Sequence, residues 1–368
     1  MSAAVDEELE TEALEDIVDE AVLDDTVPPE RYDITSFGAD YDVDGIVRRL
    51  KRGDIFVPAF QRDYVWKIPE ASRFIESLLL GLPVPGIFLA REQESNKLLV
   101  IDGQQRLKTL EFFYNGIFDP KPDQKTQRVF ALTKVQPEFE GLTYDTLSER
   151  DRIKLDDSII HATVVKQDAP RDDDTSIYHI FERLNNGGRR LTPQEIRTAL
   201  YHGPLIDLLK SLNEHEVWRQ VFGPKNARLK DQELILRFLA LYLDHEHYEK
   251  PMVEFLNKFS LRHRMAEADF LDHAALVFRE TIDVIWKAFG AEAFRPERSL
   301  NAAVFDSVMV GVAFRLKHGP IEKLEGLHRA YSALFEDADY RSAVSYSTSN
   351  EASVETRVRK AIEAFATL

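Results

Sequence analysis

The 368-residue chain contains no cysteine. Disulfides, thiolate zinc sites and cysteine nucleophiles are therefore excluded together, which fits a reducing compartment. Long hydrophobic runs are also missing. The longest, LILRFLALYL from Leu234 to Leu243, is broken by Arg237, and it is about half of the roughly 20 residues that a membrane span needs. The amino-terminal stretch is acidic rather than basic-then-apolar, so neither a secretory signal nor an Arg-rich transit peptide is expected. A cytoplasmic protein without a membrane partner follows. Several catalytic signatures are absent too: no Walker A loop, no G-x-G-x-x-G after a strand, no G-x-S-x-G elbow and no H-E-x-x-H.

What is present is enough to build a core, with 44% hydrophobic and 10% aromatic residues. At roughly 150 residues per domain the length suggests two domains. The net charge of −17 is unevenly spread. Residues 1–45 hold 16 acidic residues against one basic residue, Arg31, a net of −15, whereas the remainder is nearly neutral. A polyanionic block of this kind reads as a solvated, poorly ordered tail over residues 1–30. Its apolar positions Leu9, Leu14, Ile17, Val18, Val22 and Leu23 lie close to helical spacing, so the alternative is a segment that folds on a basic partner or mimics a polyanion.

Periodicity then suggests a short helix near 43–51 and a strand at 55–57. Pro69 at a first helical position and Gly81 past the last apolar one bound a helix over 69–80. Runs 87–92 and 97–101 flank Ser95-Asn96 as a hairpin, and residues 107, 110 and 114 give one apolar helical face ended by Gly116. Residues 117–150 read as a long connection, 159–166 as a strand and 175–184 as a helix. Thr192-Pro193-Gln194-Glu195 is a strong helix start. Beyond residue 204 strand signals vanish. The expected fold class is α+β: a mixed α/β part over 31–203 followed by an all-helical part over 204–368.

Three polar clusters could carry chemistry. Asp102-Gly103-Gln104-Gln105-Arg106 falls at a strand-to-helix junction, where backbone N–H groups and the positive end of the helix dipole favour an anion, and where glycine lets a ligand come close. Arg106 is a forked donor for phosphate oxygens, and Thr109 lies one turn beyond Gln105. Glutamine does not titrate, so neither Gln104 nor Gln105 can be a general base; Asp102 is the one carboxylate able to hold a metal ion or orient water. The plainer reading is that Asp102 caps the helix and Arg106 pairs with a nearby acid. In Val57–Trp66, Gln61 and Arg62 stand among aromatics, of which Phe60 and Trp66 read as packing residues. In Phe181–Gly188, Arg183, Asn185, Gly187 and Gly188 form a turn that could present backbone N–H groups to an anion. The patch Asp244-His245-Glu246-His247 is explained by an exposed helix end.

Taken in order, VPAFQRDYVW, VIDGQQRLKTL and FERLNNGGRRLTPQEIR resemble the N-terminal domain of GmrSD-type (type IV) restriction enzymes, a domain shared with phosphorothioate-sensing phage-defence proteins. The resemblance covers about residues 40–203. It implies a ParB/sulfiredoxin-like fold and nucleotide binding and hydrolysis, with Asp102, Gln104, Gln105 and Arg106 as catalytic residues. Gln61, Arg62, Gly103, Thr109, Arg183, Asn185, Gly187 and Gly188 would then bind the nucleotide. A nucleoside triphosphate, Mg²⁺ accompanying it, DNA (modified DNA included) and a separate nuclease subunit are the implied ligands and partners; no resident metal site is assigned, and self-association is compatible with the pattern. No histidine-asparagine-histidine nuclease segment follows the helical region, so a stand-alone sensor or NTPase subunit is expected. Two alternatives stand beside this reading. One is a metal-dependent nuclease or nickase, for which Asp63, Glu182 and Glu195 would have to assist Asp102. The other is a non-enzymatic binding module using basic residues such as Arg228, Lys230, Arg262, Arg264, Arg295 and Arg298.

Overall fold

A computed structural model of the chain describes residues 17–18, 33–57, 64–92, 95–121, 127–169, 180 and 191–368. It divides into two compact units, residues 31–190 and residues 191–368 together with 1–30. The first strand, β1 (Ile17–Val18), counts with the second unit.

The unit 31–190 contains β2 (Asp33–Asp42), α1 (Val43–Arg52), β3 (Ile55–Phe56), α2 (Ile68–Leu80), β4 (Ile87–Arg91), β5 (Leu98–Asp102), α3 (Gln104–Asn115), β6 (Ile117–Phe118), β7 (Arg128–Val129), α4 (Glu149–Asp156) and β8 (Ile159–Ala169). Five strands form one mixed sheet in the order β2-β8-β4-β5-β3. β4 and β5 are the expected antiparallel hairpin, β8 lies parallel to β4, and β3 lies parallel to β5. Local chemistry sets the helix ends. The Asp42 carboxylate accepts from the Gly45 N–H to start α1, and Gly53 in the left-handed region stops it. Glu70 accepts from the Lys67 N–H (2.5 Å) at the start of α2, and Gly81 ends that helix at φ +74°. Apolar faces of α1, α2 and α3 then bury Ile46, Ile75, Leu78, Leu107, Leu110 and Phe113 with Leu89 and Val100 of the sheet.

Two elements depart from the periodicity reading. β2 has no counterpart in it, although Phe37, Ala39 and Tyr41 alternate with Gly38, Asp40 and Asp42 along its second half. The strand pairs along its whole length with β8 but sits at the sheet edge, so most of its side chains are exposed, while Ala39 and Tyr41 are partly buried against the core. Part of the expected connection 117–150 is structured as well: β6 pairs with β7, and α4 starts at the Ser148 cap, whose hydroxyl accepts from the Asp151 N–H. The helix expected at 175–184 lies outside the described residues, apart from Ile180, which is helical.

The second unit is a stack of helices: α5 (Pro193–Leu200), α6 (Pro204–Asn213), α7 (Glu216–Phe222), α8 (Lys230–Asp244), α9 (Met252–Arg262), α10 (Ala268–Phe289), α11 (Ala302–Leu316), α12 (Leu324–Glu336), α13 (Ala338–Ser345) and α14 (Glu351–Phe365). Strand pairing occurs here too, contrary to expectation: β9 (Leu300–Asn301) pairs in parallel with β1. Within the acidic segment, Ile17 and Val18 are thus strand residues rather than part of an apolar helical face. Residues 1–16 and 19–32 lie outside the described residues.

α8 and α11 are buried on almost every side, which accounts for the near-continuous apolar run from Leu234 to Tyr242. The Arg237 that breaks this run is 2% exposed. It donates from Nε and Nη2 to the Asp306 carboxylate (3.1 and 2.7 Å), and Arg357 donates to the same carboxylate from Nη2 (2.9 Å). Asp306 and Arg357 are completely buried, and burial lowers the Arg357 pKa from its ordinary value. Two guanidinium groups therefore depend on one carboxylate for charge balance. No helix is long and apolar enough to cross a membrane among the described residues.

Asp306→Asn keeps the side-chain size but leaves two buried cations facing each other. It should lower unfolding stability by about 3–5 kcal/mol, read as a shift of the urea midpoint.

Candidate functional site

β5 ends at Asp102 and α3 begins at Gln104, so the strand-to-helix junction lies where the sequence motif does. Gly103 makes the turn at φ +103°, a conformation that L side chains rarely adopt. A Cβ at this position would lie 2.4 Å from Cγ2 of Ile87 on β4 and 3.4 Å from Nη2 of Arg106. The glycine is therefore required by backbone geometry and by packing beneath Ile87. The space that its missing side chain leaves is filled by the sheet, not open for the approach of a ligand.

The N-cap of α3 is Gly103, which makes no side-chain cap hydrogen bond. Asp102, which the plainer reading made the cap, instead pairs with Arg106, one carboxylate oxygen lying 2.8 Å from Nη2. The Arg106 side chain is 14% exposed and that of Asp102 54%. The Arg106 Nε is buried and has no hydrogen-bond partner among the described residues. An ion pair with so open a carboxylate contributes only about 0–1 kcal/mol, whereas an unmet buried N–H costs about 1–3 kcal/mol. Gln104 is half-buried in the first turn.

Gln105 has a different task. Its Oε1 accepts from the backbone N–H groups of Val65 (3.0 Å) and Trp66 (3.3 Å). Thr109 is completely buried, and its hydroxyl lies 2.7 Å both from the Gln105 carbonyl and from the Tyr64 hydroxyl. Thr109, expected among the nucleotide-binding residues, holds a buried position between two protein partners. Tyr64 packs edge-on against Phe112 and Phe118 (centroids 4.9 and 5.5 Å), and burial pushes its phenol up to about 12. Trp66 packs against Phe74, as a turn-packing residue would. Tyr64 and Ile87 are the residues that motif reasoning passed over. Tyr64 lies inside the polar-aromatic stretch Val57–Trp66, whereas nothing local marks Ile87.

The remaining site residues divide clearly. Gln61 and Arg62, and likewise Arg183, Asn185, Gly187 and Gly188, lie outside the described residues, as do Phe60, Asp63 and Glu182. Glu195 is committed to a helix cap: its Oε2 accepts from the Thr192 N–H (2.6 Å) and pairs with Arg228 (3.3 Å). His247 bonds Asp244 (2.8 Å), His245 donates to the Leu241 carbonyl (2.9 Å), and Arg262 pairs with Asp244 (2.6 Å). Among the described residues no three His, Asp or Glu side chains come together as a metal site.

The unit 31–190 is thus a mixed-sheet α/β domain that presents an uncapped helix start with an arginine one turn inside it. Residues 43–202 match the family described as GmrSD restriction endonuclease, N-terminal domain. No curated protein matches the chain.

Gly103→Ala should destabilise the domain by about 1–3 kcal/mol through overpacking and the positive φ. Because the clash is with Ile87, Gly103→Ala combined with Ile87→Ala should cost less than the sum of the two single changes in a thermal-unfolding cycle.

Proposed function

We propose that the chain is a nucleotide-binding, NTP-hydrolysing component of a restriction or antiphage defence system, in which nucleotide state governs engagement of DNA or of a partner nuclease. The match of residues 43–202 to the GmrSD N-terminal-domain family supports the restriction setting and DNA as a partner. The observation that carries the nucleotide reading is Arg106: a mostly buried guanidinium whose Nε has no partner among the described residues, at the start of a helix whose N-cap, Gly103, supplies no side chain. Donors of this kind stabilise the charge that develops on phosphoryl oxygens.

In this reading Arg106 exchanges its bond to Asp102 for a phosphate oxygen. Asp102, half exposed, then orients the attacking water. A Mg²⁺ ion fits the donor set only as a companion of the triphosphate, because Asp102 is the single carboxylate at the junction; bound in that way it would neutralise phosphate charge. Gln61, Arg62, Arg183, Asn185, Gly187 and Gly188 belong to the proposal on their sequence resemblance alone. The same holds for a ParB/sulfiredoxin-like ancestry, a cytoplasmic location, a separate nuclease subunit and self-association.

Phosphate release measured with ATP, GTP, CTP and UTP tests this reading. Wild-type protein should turn over at least one of them, and Arg106→Ala should lower that rate by about 100-fold or more, the scale set by loss of one preorganised charge-stabilising donor. Asp102→Ala should lower turnover while leaving nucleotide affinity equal or higher. The absence of release from all four, or equal rates in wild type and Arg106→Ala, would refute the reading.

A further inference from the structure

One side of α14 is patterned in two stripes. Val354, Val358 and Ile362 recur every four residues, and Glu351, Glu355, Arg359 and Glu363 recur at the same interval beside them. Facing these stripes is the short turn His245–His247 that follows α8, with Tyr248 after it. Between the two lies an open groove of about 580 Å³. Its floor is apolar, made by the buried Tyr248, Val354 and Val358 and the half-buried Ile362, and its rim carries the exposed Glu246, Glu351, Glu355 and Glu363.

Both walls are fixed to each other at one end. Tyr248 donates to the Ser349 carbonyl (2.6 Å), and Glu351 accepts from the Lys250 N–H (3.1 Å), so the groove keeps its shape without an occupant. Its charge is unbalanced. Arg359 donates to Glu363 (3.0 Å), and among the described residues neither Glu246 nor Glu355 forms an ion pair.

We propose that this groove docks a basic amphipathic helix of a partner protein, with apolar side chains on Tyr248, Val358 and Ile362 and Lys or Arg side chains against Glu246 and Glu355. Glu351 to Glu363 spans about 18 Å at roughly 1.5 Å per residue, room for about three turns of a docked helix. The floor residues of α14 repeat about every 6 Å, close to the roughly 5.4 Å pitch at which a helix presents its own anchors. Charge decides against other occupants. DNA phosphates would approach four carboxylates, and the acidic residues 1–45, with a net charge of −15, carry the wrong sign as well. Nothing in this docking depends on the nucleotide reading of Arg106.

Selection of a random peptide library on the full-length protein tests the groove, with peptides of about 15 residues, the length of α14. Enriched sequences should combine Leu, Ile or Phe at helical spacing with adjacent Lys or Arg. The best of them, synthesised with a fluorophore, should bind about tenfold more weakly to a variant carrying Glu246→Lys and Glu355→Lys. Both positions are exposed, so the variant should unfold at the wild-type temperature. Glu246→Gln with Glu355→Gln, which keeps side-chain size, should give a smaller loss of the same sign, separating lost charge from a folding defect. Replacing the basic residues of the peptide by Glu should abolish binding. Failure to enrich any basic amphipathic sequence, or equal affinity for wild type and the lysine variant, overturns the proposal. So does a concentration-dependent dimer in sedimentation that the lysine variant abolishes, because the groove would then belong to a second copy of the chain.

Discussion

The left-handed turn at Gly103, closed from above by Ile87, is the constraint on which the site depends. A side chain there would collide with β4 at 2.4 Å, so the step from β5 into α3 is possible only for glycine. Once the turn is made, helical spacing does the rest. Arg106 falls four residues after Asp102 and pairs with it, Gln105 points toward the segment that ends at Trp66, and Thr109 follows one turn below Gln105. Two faces of one helix start are thereby separated: one carries charge, the other fastens the neighbouring chain.

The helical unit solves a different problem. Its two most enclosed helices, α8 and α11, bring Arg237 and Asp306 into a dry core, and α14 adds Arg357. Each charge is tolerable only because the others are present, so these residues specify how three helices register against one another more than they add net stability. A second buried cluster does similar work around α5. Arg197 donates to Gln194 (2.6 Å), Glu233 (3.0 Å) and Asn257 (3.0 Å), tying α5 to α8 and α9. The family match runs to residue 202 and so includes α5, although that helix packs within the unit 191–368. A motif boundary in sequence and a packing boundary in space need not coincide.

Among the described residues, the acidic amino-terminal segment meets the helical unit through a strand pair. Ile17 and Val18 form a two-residue strand beside Leu300 and Asn301. Backbone pairing of this kind needs no particular side chains, which is why charge composition alone suggested an unstructured tail.

Elements whose ends carry their own chemistry were legible in the sequence. Pro69 and Gly81 bounded α2, Thr192 and Glu195 opened α5, and Ser95-Asn96 marked the β4–β5 hairpin. The position of the strand-to-helix junction was legible for the same reason, since Asp102-Gly103 is a local turn signal between a strand and a helix. What the sequence determined by itself was therefore local: caps, turns, apolar faces and the identity of the residues around the junction. Only the tertiary structure decided which of those residues face outward. β2 exists because β8 pairs with it, Gly103 is obligatory because Ile87 occupies the space beside it, and Gln105 and Thr109 turn inward because Tyr64, Val65 and Trp66 lie against α3. Each of these depends on a partner at least fifteen residues away in the chain, and contacts at that separation leave no periodicity for a local reading to find.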